Sequence, residues 1–360
     1  MGLTASVRGL LIGVLAAPRI LVSAAGWETY GPSYPFVSDI AVSSQDELLV
    51  YAGAMDAFRD SSGNWQYPSA VFRSLDGGLT WSALANAPAG ELVREVAIDP
   101  LDPSLLLAVA DDSSGSKVYR TQDSGVTWIL AVDLTPCLGA AIVFDSTMPG
   151  RAYAACGTLF RSEDGVTWTN LGVPVPGYSA LRTGADGNVY AVASAQILRS
   201  RDHGDTWTQI VRAPSECSSI TAFAVDPSDS RTIYVGTGRA TPQGRFDCGG
   251  LYKSLDGGMS LTRTALPDQY VTDIVVDATD ASIVYTCSVN IGFFSPPGRV
   301  SRSLDAGQSW EDFSPGSGPI DRLTLSSSGR ILYGSVDQAW GSVFRRRLFK
   351  TRVVLTRGEP

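Results

Sequence analysis

Residues Ser74-Leu75-Asp76-Gly77-Gly78-Leu79-Thr80-Trp81 decide the reading, because this box returns along the whole chain. It recurs as Thr121-Gln122-Asp123-Ser124-Gly125-Val126-Thr127-Trp128, as Ser200-Arg201-Asp202-His203-Gly204-Asp205-Thr206-Trp207 and as Ser303-Leu304-Asp305-Ala306-Gly307-Gln308-Ser309-Trp310. The copy at Asp164 is one residue shorter, and the copy at Asp256 has Leu261 in place of the tryptophan. Each residue type suits a tight turn. The aspartate accepts backbone N–H groups, and the glycine takes conformations closed to other residues. The Ser or Thr adds a local bond, and the tryptophan offers a large face for packing. Asp76, Asp123, Asp164, Asp202, Asp256 and Asp305 lie 47, 41, 38, 54 and 49 residues apart. That spacing suits one four-stranded β-blade of ~40–50 residues for each box.

The rest of a blade is legible around each box. Val93–Ile98 reads as an inner strand ending in the turn Asp99-Pro100-Leu101-Asp102-Pro103; Thr232–Gly236 reads as a second strand and Ala70–Arg73 as a third. A basic residue precedes every box (Arg73, Arg120, Arg161, Arg199, Lys253, Arg302), and its periodicity favours a structural role over an anion site. After the last box, Ile320–Leu325, Arg330–Gly334 and Ser342–Arg345 supply three more strands without a box. At the other end, Gly26-Trp27-Glu28-Thr29-Tyr30-Gly31-Pro32 matches Ser309-Trp310-Glu311-Asp312-Phe313-Ser314-Pro315, so it reads as an outer strand without a blade. The expected fold is therefore all-β: a seven-bladed β-propeller of four-stranded antiparallel blades over 26–348, with 349–360 as a tail. The N-terminal strand completes the last blade, which removes strand edges that would template aggregation. Arg352–Leu355 is the competing candidate for that outer strand.

Composition bounds the function. The 360 residues are 44% apolar and 18% charged, enough for a large core, and 28 of the 36 acids are Asp, which favours turns. A net charge of −8 argues against nucleic acid as a partner. Residues 1–25 read as a secretory signal: Arg8, the apolar run Leu10–Leu15, then Ser23-Ala24-Ala25. The alternative is an N-terminal tail. No other stretch approaches the ~20 apolar residues of a membrane span. A secreted or periplasmic monomer is expected. Five cysteines without zinc-ligand spacing and a single histidine predict no metal, and no cofactor motif is present. Cys217 and Cys248 fall in neighbouring loops and could pair, whereas Cys156 and Cys287 end apolar runs and read equally well as buried thiols.

The box resembles the Asp box of bacterial neuraminidase-repeat proteins, Ser-x-Asp-x-Gly-x-Thr-Trp. The resemblance implies a structural turn between third and fourth strands, on the face away from the usual ligand site. Ligand residues are then expected in loops between second and third strands. Long loops occur at 53–69, 236–250 and 287–299, with a medium one at 335–342. They belong to blades 1, 5, 6 and 7, contiguous around a closed ring. They offer Asp56, Arg59, Asp60, Trp65 and Tyr67, then Arg239, Arg245 and Asp247, then Phe293, Phe294 and Arg299, then Asp337 and Trp340. Aromatics with Asp and Arg suit sugar rings or protein surfaces, while their competing role is to pack the loops themselves.

No catalytic constellation stands out. A resemblance to sialidases would require three arginines and a Tyr–Glu pair, and Pro18-Arg19-Ile20-Leu21 only partly matches their first arginine motif. The repeat is also similar to the blades of oligoxyloglucan-type hydrolases, which set two propellers around a cleft, whereas this chain has residues for one. Sortilin-type domains and photosystem II assembly-factor propellers resemble it too, and both imply binding rather than chemistry. Glu91, Glu95 and Glu216 are available carboxylates, and His203 is committed to a box turn. The expected function is a binding or scaffold module for a glycan or protein ligand. The alternative is a carbohydrate-active enzyme using a carboxylate pair on the same face.

Overall fold

The computed structural model describes residues 27–352, apart from 89–91, 241–245, 291–298, 316–319, 337–347 and positions 33, 35, 57, 67, 178–179, 218 and 268. It is a β-propeller. The blade of Asp76 runs Phe36–Val42, Val50–Met55, Ser69–Ser74 and Ser82–Ala83, and that of Asp123 runs Leu92–Ile98, Leu106–Asp112, Gly115–Thr121 and Ile129–Asp133. The Asp202 blade has Leu181–Thr183, Val189–Ala193, Gln196–Ser200 and Thr208–Arg212, and the Asp256 blade Ser219–Val225, Ile233–Ala240, Phe246–Ser254 and Thr262–Arg263. The Asp305 blade comprises Gln269–Val276, Val284–Asn290, Arg299–Ser303 and Glu311–Asp312. A closing blade joins Ile320–Leu325, Ile331–Val336 and Leu348–Arg352 to Trp27–Thr29 at its outer edge.

The expectation of seven four-stranded blades is corrected: four-stranded blades number six among the described residues. The sheet carrying the Asp164 box has three strands, Ala141–Phe144, Ala152–Ser162 and Trp168–Val175. The sequence there leaves no loop between a second and a third strand, so both fall within one eleven-residue strand. Its first half pairs with Ala141–Phe144 and its second with Trp168–Val175, about the left-handed Gly157. In the Asp202 blade, by contrast, the left-handed Ser194 starts a tight turn that keeps Ala193 and Gln196 on separate strands. In the closing blade, the third position is taken by Leu348–Arg352, and the strand read at 342–345 lies outside the described residues.

The boxes form as their chemistry requires. Asp76 accepts the Thr80 N–H at 2.9 Å and its hydroxyl at 2.6 Å, while the Ser74 hydroxyl accepts the Gly78 N–H and donates to Asp76, both at 2.7 Å. Hydrogen bonds from a turn hold its aspartate down at about 2 in the Asp76, Asp123, Asp202, Asp256 and Asp305 boxes, for Asp76 against a contrary push from burial. The second and sixth box positions point outward: Leu75, Leu255 and Leu304, then Leu79, Val126, Val166 and Met259, are all exposed.

Each box also locks into its neighbour. The fully buried Tyr51, Tyr153, Tyr234 and Tyr333 donate their hydroxyls to carbonyls of the next box, at Ser124, His203, Ala306 and Gly77. Arg73, Arg161 and Lys253 donate to the same Ser124, His203 and Ala306 carbonyls, which accounts for three of the six basic residues before the boxes, while Arg302 pairs with Glu311. The Asp305 blade faces the closing blade, which has no box, and there the buried Tyr285 hydroxyl finds no partner. Trp27 takes the outer-strand place in the closing blade but bonds differently from the box tryptophans Trp81, Trp128, Trp207 and Trp310, which donate Nε1–H to a glycine carbonyl of their own box. It is 1% exposed, packs with Tyr285, Ile320 and Leu332, and donates Nε1–H to the Phe313 carbonyl at 2.8 Å.

The cysteine expectation changes for one residue. Cys156 is not a free thiol but is bonded to Cys137, 19 residues away, tying the strand Ala152–Ser162 to the connection before its sheet. Cys217 is disulfide-bonded as well, and Cys287 is a buried thiol. No helix among the described residues is long and apolar enough to cross a membrane.

Candidate functional site: the central channel and its two faces

Strand directions alternate within a blade. The turns from first to second strand and the boxes therefore emerge on one face, and their mutual bonds (Gly77 N–H to Leu48, Gly257 N–H to Arg231) confirm it. The second-to-third loops and the inter-blade connections emerge on the other. Between the faces, the inner strands surround a channel. Four of those strands carry a polar doublet within an apolar run: Ser38-Asp39, Arg94-Glu95, Thr272-Asp273 and Asp321-Arg322. At each doublet the pairing slips by one residue, a bulge that re-aims side chains. The slip brings Asp39, Glu95, Asp273 and Arg322 to the channel wall, joined by Arg182 of the Asp202 blade.

These groups face each other across the channel. Arg322 lies 3.7 Å from Asp39 and Arg182 lies 3.5 Å from Asp273. Each carboxylate also reaches the next sheet of the ring. Asp39 accepts the Val96 N–H at 3.0 Å, Asp273 accepts the Leu323 N–H at 2.9 Å, and Glu95 takes that of Ile142. Hydroxyls repeat the stitch: Thr183 to the Phe144 carbonyl at 2.9 Å, Thr221 to Val271 at 2.6 Å, Thr324 to Ile40 at 2.9 Å. Burial, with the Asp39 charge second, pushes Glu95 up to about 7. Burial raises Asp39 against the pull of Arg322. Burial disfavours the Arg322 cation, but Asp39 and Glu95 outweigh it and hold the guanidinium charged.

The charged ring separates two cavities. One of 620 Å³ opens on the box face, where Asp186, Asp226 and Asp229 stand at its mouth. The other, of 230 Å³, lies toward the loop face beside Thr221, Thr272 and Asp321. Tyr190 is the only aromatic side chain lining either cavity among the described residues.

Of the loop residues expected to bind ligand, the structure places seven, three of them (Trp65, Arg239 and Asp247) by backbone alone. Arg59 and Trp65 are register partners in a two-stranded ribbon, Phe58–Arg59 with Trp65–Gln66, which stands on the loop of the Asp76 blade. Asp60 closes the ribbon by accepting the Ser62 and Asn64 N–H groups at 2.9 and 3.0 Å. Asp56 precedes it, half-buried, with its N–H on the Pro68 carbonyl, and Arg299 is exposed at the start of its strand. Arg239 and Asp247 lie on a hairpin extension of the Asp256 blade, where their backbone alone is described. Tyr67, Arg245, Asp337 and Trp340 lie outside the described residues, as do Phe293 and Phe294. The channel residues were not among the candidates, except Glu95 as an unpaired carboxylate. The signal for them was the polar doublet.

Fold and channel together define a β-propeller of four-stranded blades with a charged axial ring. Residues 104–312, more than half of the chain, match the DUF6242 β-propeller domain, and the chain belongs to that family. It is 25% identical over 306 residues to a xyloglucanase of Hypocrea jecorina, covering 79% of this chain and 33% of that protein. A xyloglucanase of Acetivibrio thermocellus is 25% identical over 244 residues, or 63% of this chain and 24% of the other. The chain thus spans about a third or less of these relatives. Among solved structures, YCF48 from Cyanidioschyzon merolae superimposes with a TM-score of 0.62 at 14% identity, covering 91% of this chain and 99% of the other. The GH74 xyloglucanase of Xanthomonas campestris does so at 0.58 and 19% identity, covering 84% and 51%.

Proposed function

We propose that this protein is an exported, monomeric binding propeller that holds a protein ligand on its loop face, over the narrow end of the channel. The observation that carries the reading is the pair of built projections there, the Asp60-closed ribbon and the hairpin extension of the Asp256 blade. Both are strand-paired backbone, and binding residues on rigid supports lose little entropy when a ligand arrives. Asp56, Arg59, Trp65 and Arg299, with the backbone of Arg239 and Asp247, lie on this face, and they are the residues proposed to hold the ligand. Structures of YCF48 bound to a D1 peptide and of Sqt1 bound to the N-terminus of ribosomal protein L10 supply precedents of similar fold. The Cys137–Cys156 bond suits an oxidising compartment, as does the apolar run Leu10–Leu15. Panning a random-peptide display library on the immobilised protein tests the reading. Selected peptides should lose affinity by ~10-fold or more when Arg59 and Arg299 are both changed to Ala, the effect expected of lost anchor contacts. Failure to enrich any peptide would count against it.

One observation favours a second reading, a glycoside hydrolase. Burial and then the Asp39 charge push Glu95 up to about 7, and both residues line the same 620 Å³ cavity, the environment of a general acid. Against this, Asp39, Glu95 and Asp273 each commit an oxygen to the neighbouring sheet, and among the described residues Tyr190 is the one aromatic side chain lining the channel cavities. Release of reducing ends from xyloglucan, abolished by Glu95→Gln, would establish hydrolysis in place of binding alone.

A further inference from the structure

Among the described residues, the exposed large apolar side chains gather on the face that carries the boxes. Of the thirteen large apolar side chains exposed among the described residues, ten lie on it. Seven occupy the second or sixth box position, and Leu48, Leu101 and Met148 occupy turns between first and second strands. The turn does not require this. Gln122, Glu163 and Arg201 occupy the second position in other boxes, and Asp205 and Gln308 the sixth, so polar residues fit the same backbone. The Asp76 and Asp256 boxes are apolar at both positions. Leu255 is 67% exposed and Met259 85%, beside a groove of 580 Å³ between the Asp256 blade and the Asp305 box. Clustered exposure of this kind marks a surface that meets something.

Charge selects what it meets. Among the described residues none of the six box aspartates is in an ion pair, whereas Arg73, Arg161 and Lys253 are turned inward onto box carbonyls. Asp186 and Asp226 add unpaired carboxylates at the channel mouth, in the centre of the same face. Two copies meeting through it would bring like charges together, and an anionic bilayer would be repelled in the same way. We propose that the box face docks a basic segment of a partner protein, with aliphatic side chains between its cationic residues. This surface lies opposite the loop face and is distinct from the ligand site proposed there.

The probe is a synthetic peptide of alternating Lys and Leu, followed by fluorescence anisotropy, with Lys–Ser and Glu–Leu peptides of equal length for comparison. The Lys–Leu peptide should bind, weaken with added salt, and lose ~10-fold or more in affinity with the triple variant Leu75→Ser/Leu255→Ser/Met259→Ser. The three side chains are exposed, so thermal unfolding of the variant should match that of the parent. Arg59→Ala/Arg299→Ala on the other face should leave the peptide's affinity unchanged, which separates this proposal from the loop-face reading. Equal binding of the Lys–Ser peptide, an unaffected triple variant, or no binding at low salt each overturn it. So would self-association by analytical ultracentrifugation, or flotation with phosphatidylglycerol vesicles, if the triple variant abolished it.

Discussion

At the residue scale the protein uses carboxylates in two opposite ways. A box aspartate collects hydrogen bonds within its own turn and stays ionised; Glu95 is buried beside Asp39 and is pushed up to about 7. Asp76→Ala should leave the N–H groups of Leu79 and Thr80 without their acceptor and cost about 1–2 kcal/mol, read by denaturant unfolding. The stabilisation from such turns is fully present above the unfolded value of 3.8 and lost as pH falls through about 2. Glu95 behaves in the reverse sense. Its folded value exceeds the unfolded 4.5, so the folded chain keeps a proton that the unfolded chain releases, and stability falls as pH rises between 4.5 and about 7. Glu95→Gln, which still accepts the Ile142 N–H, should therefore match the parent at pH ~4 and exceed it by about 3 kcal/mol at pH ~8. Thermal unfolding across that range checks the difference.

At the element scale, two features join pieces distant in the chain. Trp27–Thr29 forms the outer edge of a blade whose other strands lie after residue 319, and Trp27 fills the junction with Tyr285 and Ile320. Trp27→Ala should cost about 3–5 kcal/mol, the usual range for a buried tryptophan, and deletion of 26–32 at least as much. Unchanged thermal unfolding in both would contradict the role given to this strand. Cys137 and Cys156 close a loop across 19 residues, so Cys137→Ser should lower stability by about 3 kcal/mol in denaturant unfolding without reductant. The element most poorly read in advance was the Asp164 sheet. The short link between Ala155 and Leu159 suits a tight two-stranded hairpin and one continuous strand alike. Pairing with Ala141–Phe144 and Trp168–Val175 decided between them.

At the scale of the whole molecule, the two faces joined by the charged channel differ in character. The loop face carries the built projections, and the box face carries the exposed aliphatic residues and unpaired carboxylates. Ligands of the two faces should bind independently, so saturating one should leave the affinity for the other unchanged in a competition titration. Mutual exclusion would instead place both on one site.

The boxes, their spacing and the orphan strand at Trp27 were legible because each is a local event. A box is a handful of hydrogen bonds within eight residues, and the chemistry of Ser, Asp, Gly and Thr dictates it without reference to anything else. The charged ring is not local. Asp39, Glu95, Arg182, Asp273 and Arg322 come from five different sheets and meet only because the closed ring brings their inner strands to a common axis, with bulges re-aiming all but Arg182. The number of four-stranded blades, the division of the channel into two cavities and the gathering of exposed leucines on one face were decided in the same way. Each depends on how sheets pack around a closed ring, and hydrophobic periodicity along one strand carries no record of that arrangement.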